Sequence, residues 1–197
     1  MAKDPVLVPQ RTRSRKKQKL DFYRLALADK DIRTALYTCD AFIELIRKWQ
    51  GPKLPYEVSE AFFAAILVSY SRPFTENNFP GLLPKQWRRF AGKQLQETHD
   101  EMLKNRHSLF AHADAAIHRM TIIPDGCLPK SIGPKPPQTA YMIRGFLLRP
   151  ETVVRYRAVC ADLQQRLEKA SQQALADLYR GMELPNREFL LRFDDGL

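Results

Sequence analysis

The sequence predicts a mostly α-helical chain with one small β-hairpin, and three observations carry this. Only 8 of its 197 residues are glycine, against many Ala, Leu, Arg, Gln and Glu residues that favour helices. Apolar residues recur at three- and four-residue spacing along several long stretches. Proline and glycine gather between those stretches. At 44% hydrophobic, the chain is long enough to bury one core.

The elements follow in order. Residues 1–10 hold two prolines and no periodicity, and are expected to be disordered. Residues 1–19 read as a basic arm. They carry Lys3, Arg11, Arg13, Arg15, Lys16, Lys17 and Lys19 against Asp4 alone, which is +6 of the net charge of +10. A run of that density is a solvated segment and suits a nucleic-acid tether, because each phosphate contact releases counterions. From Leu20 to Trp49, Ala35, Leu36, Cys39, Phe42, Ile43 and Ile46 keep to one side of a helix. Asp29 or Asp31 could cap it, and Gly51-Pro52 ends it. Tyr56 to Tyr70 is apolar almost all round in its second half (Phe62, Phe63, Ile66, Leu67), which predicts the central buried helix. Pro73 stops it near Arg72.

Residues 73–84 read as a loop. Lys85 to about Ala116 has no proline, and its apolar line runs through Phe90, Leu95, His99, Met102, Leu103, Arg106, Leu109, Phe110 and Ala113. Unbroken, ~32 residues would reach ~48 Å, so a kink or restart is expected near Lys104–His107. Two short apolar runs, residues 120–124 and 141–148, flank a Pro/Gly-rich stretch and predict a two-stranded hairpin within 119–148. Pro150 opens a last long helix to about Tyr179. Val153, Tyr156, Val159, Cys160, Leu163, Leu167, Leu175 and Leu178 stand at core spacing along it, and Gly181 ends it. Residues 20–181 thus form one helical domain with an insertion at 119–148. The tail, 182–197, is apolar enough to dock.

Several function classes drop out. The longest apolar run, Ala61 to Val68, falls far short of the ~20 residues that span a bilayer. The start has no charged-then-apolar leader pattern. Cys39, Cys127 and Cys160 are odd in number and far apart, which suggests neither a disulfide framework nor a cysteine zinc site. A reduced, cytoplasmic protein is expected. There is no glycine-rich phosphate loop, no His-Glu-x-x-His and no Cys-x-x-Cys, and Asp194-Asp195 lacks ligand partners, so neither metal nor cofactor is expected.

The chemistry concentrates in Arg106-His107-Ser108-Leu109-Phe110-Ala111-His112-Ala113-Asp114. It joins a permanent cation able to hold a phosphate with a side chain able to move a proton near neutral pH. On an ideal helix Arg106 and His112 point about 120° apart and ~9 Å along the axis. They cannot easily meet one phosphate within a monomer. Two copies facing across a two-fold axis can bring both residue types into one cleft.

With the upstream segment Tyr70-Ser71-Arg72-Pro73-Phe74, this stretch resembles the HEPN superfamily, and within it the abortive-infection branch, over roughly residues 20–120. The resemblance implies an antiparallel helical bundle, usually a homodimer, and a metal-independent ribonuclease with Arg106 and His112 as its catalytic pair. The position after the arginine, commonly Asn or Asp there, is His107, which either shares the proton transfer or fills a polar slot. His99 lies seven residues before Arg106 and either lines the same cleft or is a plain core or surface histidine. Arg72 offers a second phosphate contact or an ion pair to Glu44 or Glu60, and Tyr70 a hydrogen bond near the site or aromatic packing.

The expected function is an endoribonuclease toxin or abortive-infection effector acting on RNA, with a cognate antitoxin or a nucleotidyltransferase as possible partners. Two other readings use the same residues. One is a non-catalytic helical dimerisation or nucleotide-binding module that partners a nucleotidyltransferase. The other is a nucleic-acid-binding accessory protein that works through its basic arm.

Overall fold

The computed structural model describes residues 10–51, 53–76, 80–111, 119–123, 140–144 and 148–181. The chain is mostly helical. Helix α1 spans Gln10–Lys48 and α2 Tyr56–Ser71, followed by a 3-10 turn at Arg72–Phe74. After a second 3-10 turn at Lys85–Arg88 come α3 (Lys93–Ala111), strands β1 (Arg119–Ile123) and β2 (Ala140–Arg144), and α4 (Pro150–Leu178). The strands pair antiparallel, with Thr121 opposite Met142. No described helix is long and apolar enough to cross a membrane.

Helix α1 begins ten residues earlier than the apolar pattern suggests. Half of the expected disordered arm, residues 10–19, is therefore its opening turns. The run from Gln10 to Lys19 has no proline or glycine and is rich in Arg, Lys and Gln, so an established helix propagates through it at little cost. Residues 1–9 lie outside the described residues, as does the tail from residue 182. Asp29 and Asp31 sit inside α1 and are not caps. Asp29 accepts a 2.6 Å hydrogen bond from Arg33 one turn on.

The core forms where α1 and α4 lie along each other and α2 closes over them. Helix α1 contributes Ala28, Ile32, Ala35, Cys39 and Phe42 at steps of three and four residues, all 3% exposed or less. Helix α2 adds Phe63, Ile66, Leu67 and Tyr70, and α4 adds Val153, Tyr156, Val159, Cys160, Leu163 and Leu167. The pairs Phe42–Phe62 and Asp31–Arg72 show α1 and α2 running antiparallel. Glu101–Arg155, with Phe90 just ahead of α3 meeting Arg166, shows the same for α3 and α4. Each fully buried large side chain contributes about 1.5–3 kcal/mol through removal from water. Leu175 departs from the pattern at 42% exposed, because beyond Ser171 only Leu178 of α4 is buried among the described residues.

Candidate functional site

Helix α3 runs without a break from Lys93 to Ala111. The expected restart near Lys104–His107 is absent, and the interruption lies earlier, at Arg89–Gly92. There Phe90 N–H donates to Gln96 Oε1 at 3.0 Å, and Arg88 Nη2 donates to the Phe74 carbonyl at 2.6 Å. The predicted excess length is thus removed at the front of the helix. Arg106 stands in the last two turns of α3 and not near a helix start. It is partly buried, while His107 is exposed. His112 lies outside the described residues.

His99 shares a face with Arg106 in register, yet it is 1% exposed and belongs to the core. Tyr70, Phe74 and Phe90 enclose it, with ring centroids at 5.8, 5.1 and 5.1 Å. Its Nδ1 lies 2.6 Å from the Tyr70 hydroxyl. Burial holds the Tyr70 phenol well above its usual pKa, so its O–H is the donor and Nδ1 the acceptor. The imidazole proton therefore sits on Nε2, which is buried and has no partner among the described residues. Burial, which Asp100 opposes and Arg88 and Arg166 reinforce, lowers the His99 pKa to about 4. At neutral pH the ring is thus uncharged, with its Nδ1 lone pair engaged by Tyr70. Tyr70 is likewise a core residue that orients His99.

Arg72 is 60% exposed on its side chain and pairs through Nη1 with Asp31 at 3.3 Å. Neither Glu44 nor Glu60 is its partner. The antiparallel α1–α2 register carries the end of α2 past Asp31, whereas Glu44 meets Arg47 and Lys48. In the basic segment Arg15, Lys16 and Lys17 are exposed and Lys19 is half-buried. The side chains of Arg11 and Arg13 lie outside the described ones.

Sequence reasoning missed a polar network one turn before Arg106. Arg155 donates to both carboxylate oxygens of Glu101, at 2.9 and 3.4 Å. The Tyr156 hydroxyl donates to Glu101 Oε1 at 2.9 Å and accepts from Asn105 Nδ2 at 3.0 Å. Burial, with the Glu101 charge beside it, raises the Tyr156 pKa far above the usual phenol range, so the hydroxyl stays protonated. Glu101 and Asn105 are four positions apart and hence neighbours on the helix surface. That spacing is the one signal that could have drawn attention to them. The network locks the last turns of α3 to α4 immediately beside Arg106. Comparison of the chain with models of known protein families, with curated proteins and with solved structures finds no match.

Proposed function

We propose that the chain is a metal-independent endoribonuclease of the HEPN kind, acting as a toxin or abortive-infection effector. The observation that carries this reading is the setting of Arg106. A permanent cation, still partly accessible, stands in helical turns whose rotation Glu101, Asn105 and Tyr156 hold fixed. Preorganised cations of this kind stabilise charge that develops on phosphoryl oxygens.

RNA supplies its own nucleophile. The ribose 2′-OH is close to the phosphorus, and in-line attack there needs no added water or metal-bound hydroxide. His112 accepts the 2′-OH proton or protonates the departing 5′ oxygen, and its copy in a second chain takes the other role. Arg106 offsets the charge in between. The site is composite, because six positions along one helix set the two groups apart, and a two-fold dimer through the end of α3 reunites them.

The test is purified protein incubated with total RNA in EDTA. Products ending in 2′,3′-cyclic phosphate are expected, and DNA is inert. Arg106→Ala and His112→Ala each lower the rate by ~10²–10⁴ while helicity and dimerisation persist. Mixing the two inactive variants restores part of the activity if each site draws its arginine and histidine from different chains. Cleavage that survives both substitutions, or that EDTA abolishes, would end this reading. Loss with His107→Ala alone would move the proton transfer to that residue.

A further inference from the structure

Between the first half of α1 and the chain that follows α2 lies an open cleft of about 360 Å³. Arg24 and Asp31 of α1 line one side, Arg72 and Glu76 the other, and Leu27 and Leu83 add apolar surface. Arg24 is braced, with Nε donating to the Pro80 carbonyl at 3.1 Å and Nη1 to Asp21 at 3.0 Å. Arg72 gives Nη1 to Asp31. The Nη2 groups of both guanidiniums have no partner among the described residues. Gly81 has a φ of 84°, and a Cβ there would stand 3.6 Å from Arg24 Nη2. Glycine thus serves the left-handed turn, and the turn brings its backbone alongside that edge of the guanidinium.

Two guanidiniums with free edges suit one phosphate, since the planar fork matches its oxygens. Asp31 and Glu76 would repel a second phosphate in the same place, but they accept hydrogen bonds from hydroxyl or amino groups. The apolar surface suits a flat ring, and the volume falls in the range of small-ligand sites. One anionic group, several donors and one flat ring together describe a single nucleotide. A free amino acid would also answer the charges, but it leaves the approach to the cleft unused. Lys17 is exposed and precedes Arg24 by seven residues, which puts it within about 20° of the same face and ~10 Å toward the helix start.

We propose that this cleft holds one nucleotide of single-stranded RNA, with the strand continuing along α1 past Lys17. The preference for RNA over DNA rests on the ribonuclease reading, and the site itself does not. It is a binding site separate from Arg106 and performs no chemistry.

The test uses full-length protein carrying Arg106→Ala in EDTA and a fluorescent ten-nucleotide uridine oligomer, read by anisotropy. Adding Arg72→Gln weakens binding about tenfold, and adding Lys17→Gln weakens it a few-fold. Each flattens the dependence on log salt by about one unit. Uridine monophosphate displaces the oligomer and uridine does not. Arg72 is exposed, so the Arg72→Gln protein should melt as its parent does. If it melts lower, Thr75→Glu, which adds negative charge to the cleft wall, must give the same loss. Unchanged affinity and salt slope in a folded cleft variant, or equal displacement by uridine, overturns the proposal. The two readings fail separately. Wild-type cleavage with binding indifferent to Arg72 removes the cleft alone, and Arg72-dependent binding without cleavage removes the nuclease alone.

Discussion

Helices α4 and α3 are both packed into the bundle, but different forces hold them. Along α4, six residues from Val153 to Leu167 are fully buried, and nearly all are apolar. On α3 the fully buried residues among the described side chains are Met102, His99 and Thr98. The distinctive contacts of α3 are hydrogen bonds: His99 to Tyr70, Glu101 to Arg155 and Tyr156, and Asn105 to Tyr156. Apolar contact is non-directional, so it decides where a helix lies and tolerates small rotations. Hydrogen bonds weaken steeply with angle, so they decide how the helix is turned about its own axis. On the ribonuclease reading proposed above, α3 gains from the second kind of restraint, because it has to present Arg106.

The contrast can be broken at its apolar end first. Leu163→Ala on α4 should cost about 2–5 kcal/mol of global stability, measured by denaturant unfolding, because the cavity cannot fully collapse between three helices. A loss below ~1 kcal/mol would mean that α4 is not the core element described. The polar end is probed by pH. The His99 pKa falls from 6.5 to about 4 on folding. The unfolded chain therefore takes up a proton as pH drops through 6.5, while the folded protein does not until near 4. The stability this group contributes is fully present above pH 6.5 and is lost as pH falls toward 4, by an amount approaching ~3 kcal/mol. Comparing unfolding of wild type and His99→Gln at pH 7 and pH 4.5 isolates it, and parallel losses in both would refute a buried neutral imidazole. The smallest effect sharpens the contrast most. Tyr156→Phe leaves the ring in place but strips Asn105 of its acceptor, at about 1–3 kcal/mol. Amide exchange should accelerate around residues 103–108 and RNA cleavage should fall, with the α1–α4 pairing intact. Uniform exchange along α3 would show that the network does not set its rotation.

What the sequence disclosed follows the same division. The buried faces of α1, α2 and α4 were legible because apolar burial leaves a periodic trace, and Ala35, Cys39, Phe42, Val153 and Leu163 fall where that trace puts them. Helix α3 was misjudged because its boundaries depend on partners distant in the chain. Residues 85–91 carry neither proline nor glycine, and although Gly92 weakens a helix there, nothing local reports that Arg88 reaches the Phe74 carbonyl fourteen positions back. Tyr70 and His99 are 29 positions apart, and Arg72 and Asp31 are 41 apart, so neither pairing has a local signature. Arg106 itself was conspicuous as a motif. The side chains that hold its helix in place were not.

The unbroken course of α1 has a consequence of its own. Thirty-nine residues make a rod of ~58 Å, and the first fully buried residue among its described side chains is Ala28. From Arg15 to Leu27 the side chains are exposed or only partly buried, so those turns remove less apolar surface from water than the helix behind them. Warming should therefore fray α1 from its basic end well before the bundle melts. A polyanion meeting the cold protein would find its cations already spaced along a rod and would lose little chain entropy in ordering them. At higher temperature the same segment would behave as a loose cationic tether, and its grip would soften while the fold remained whole.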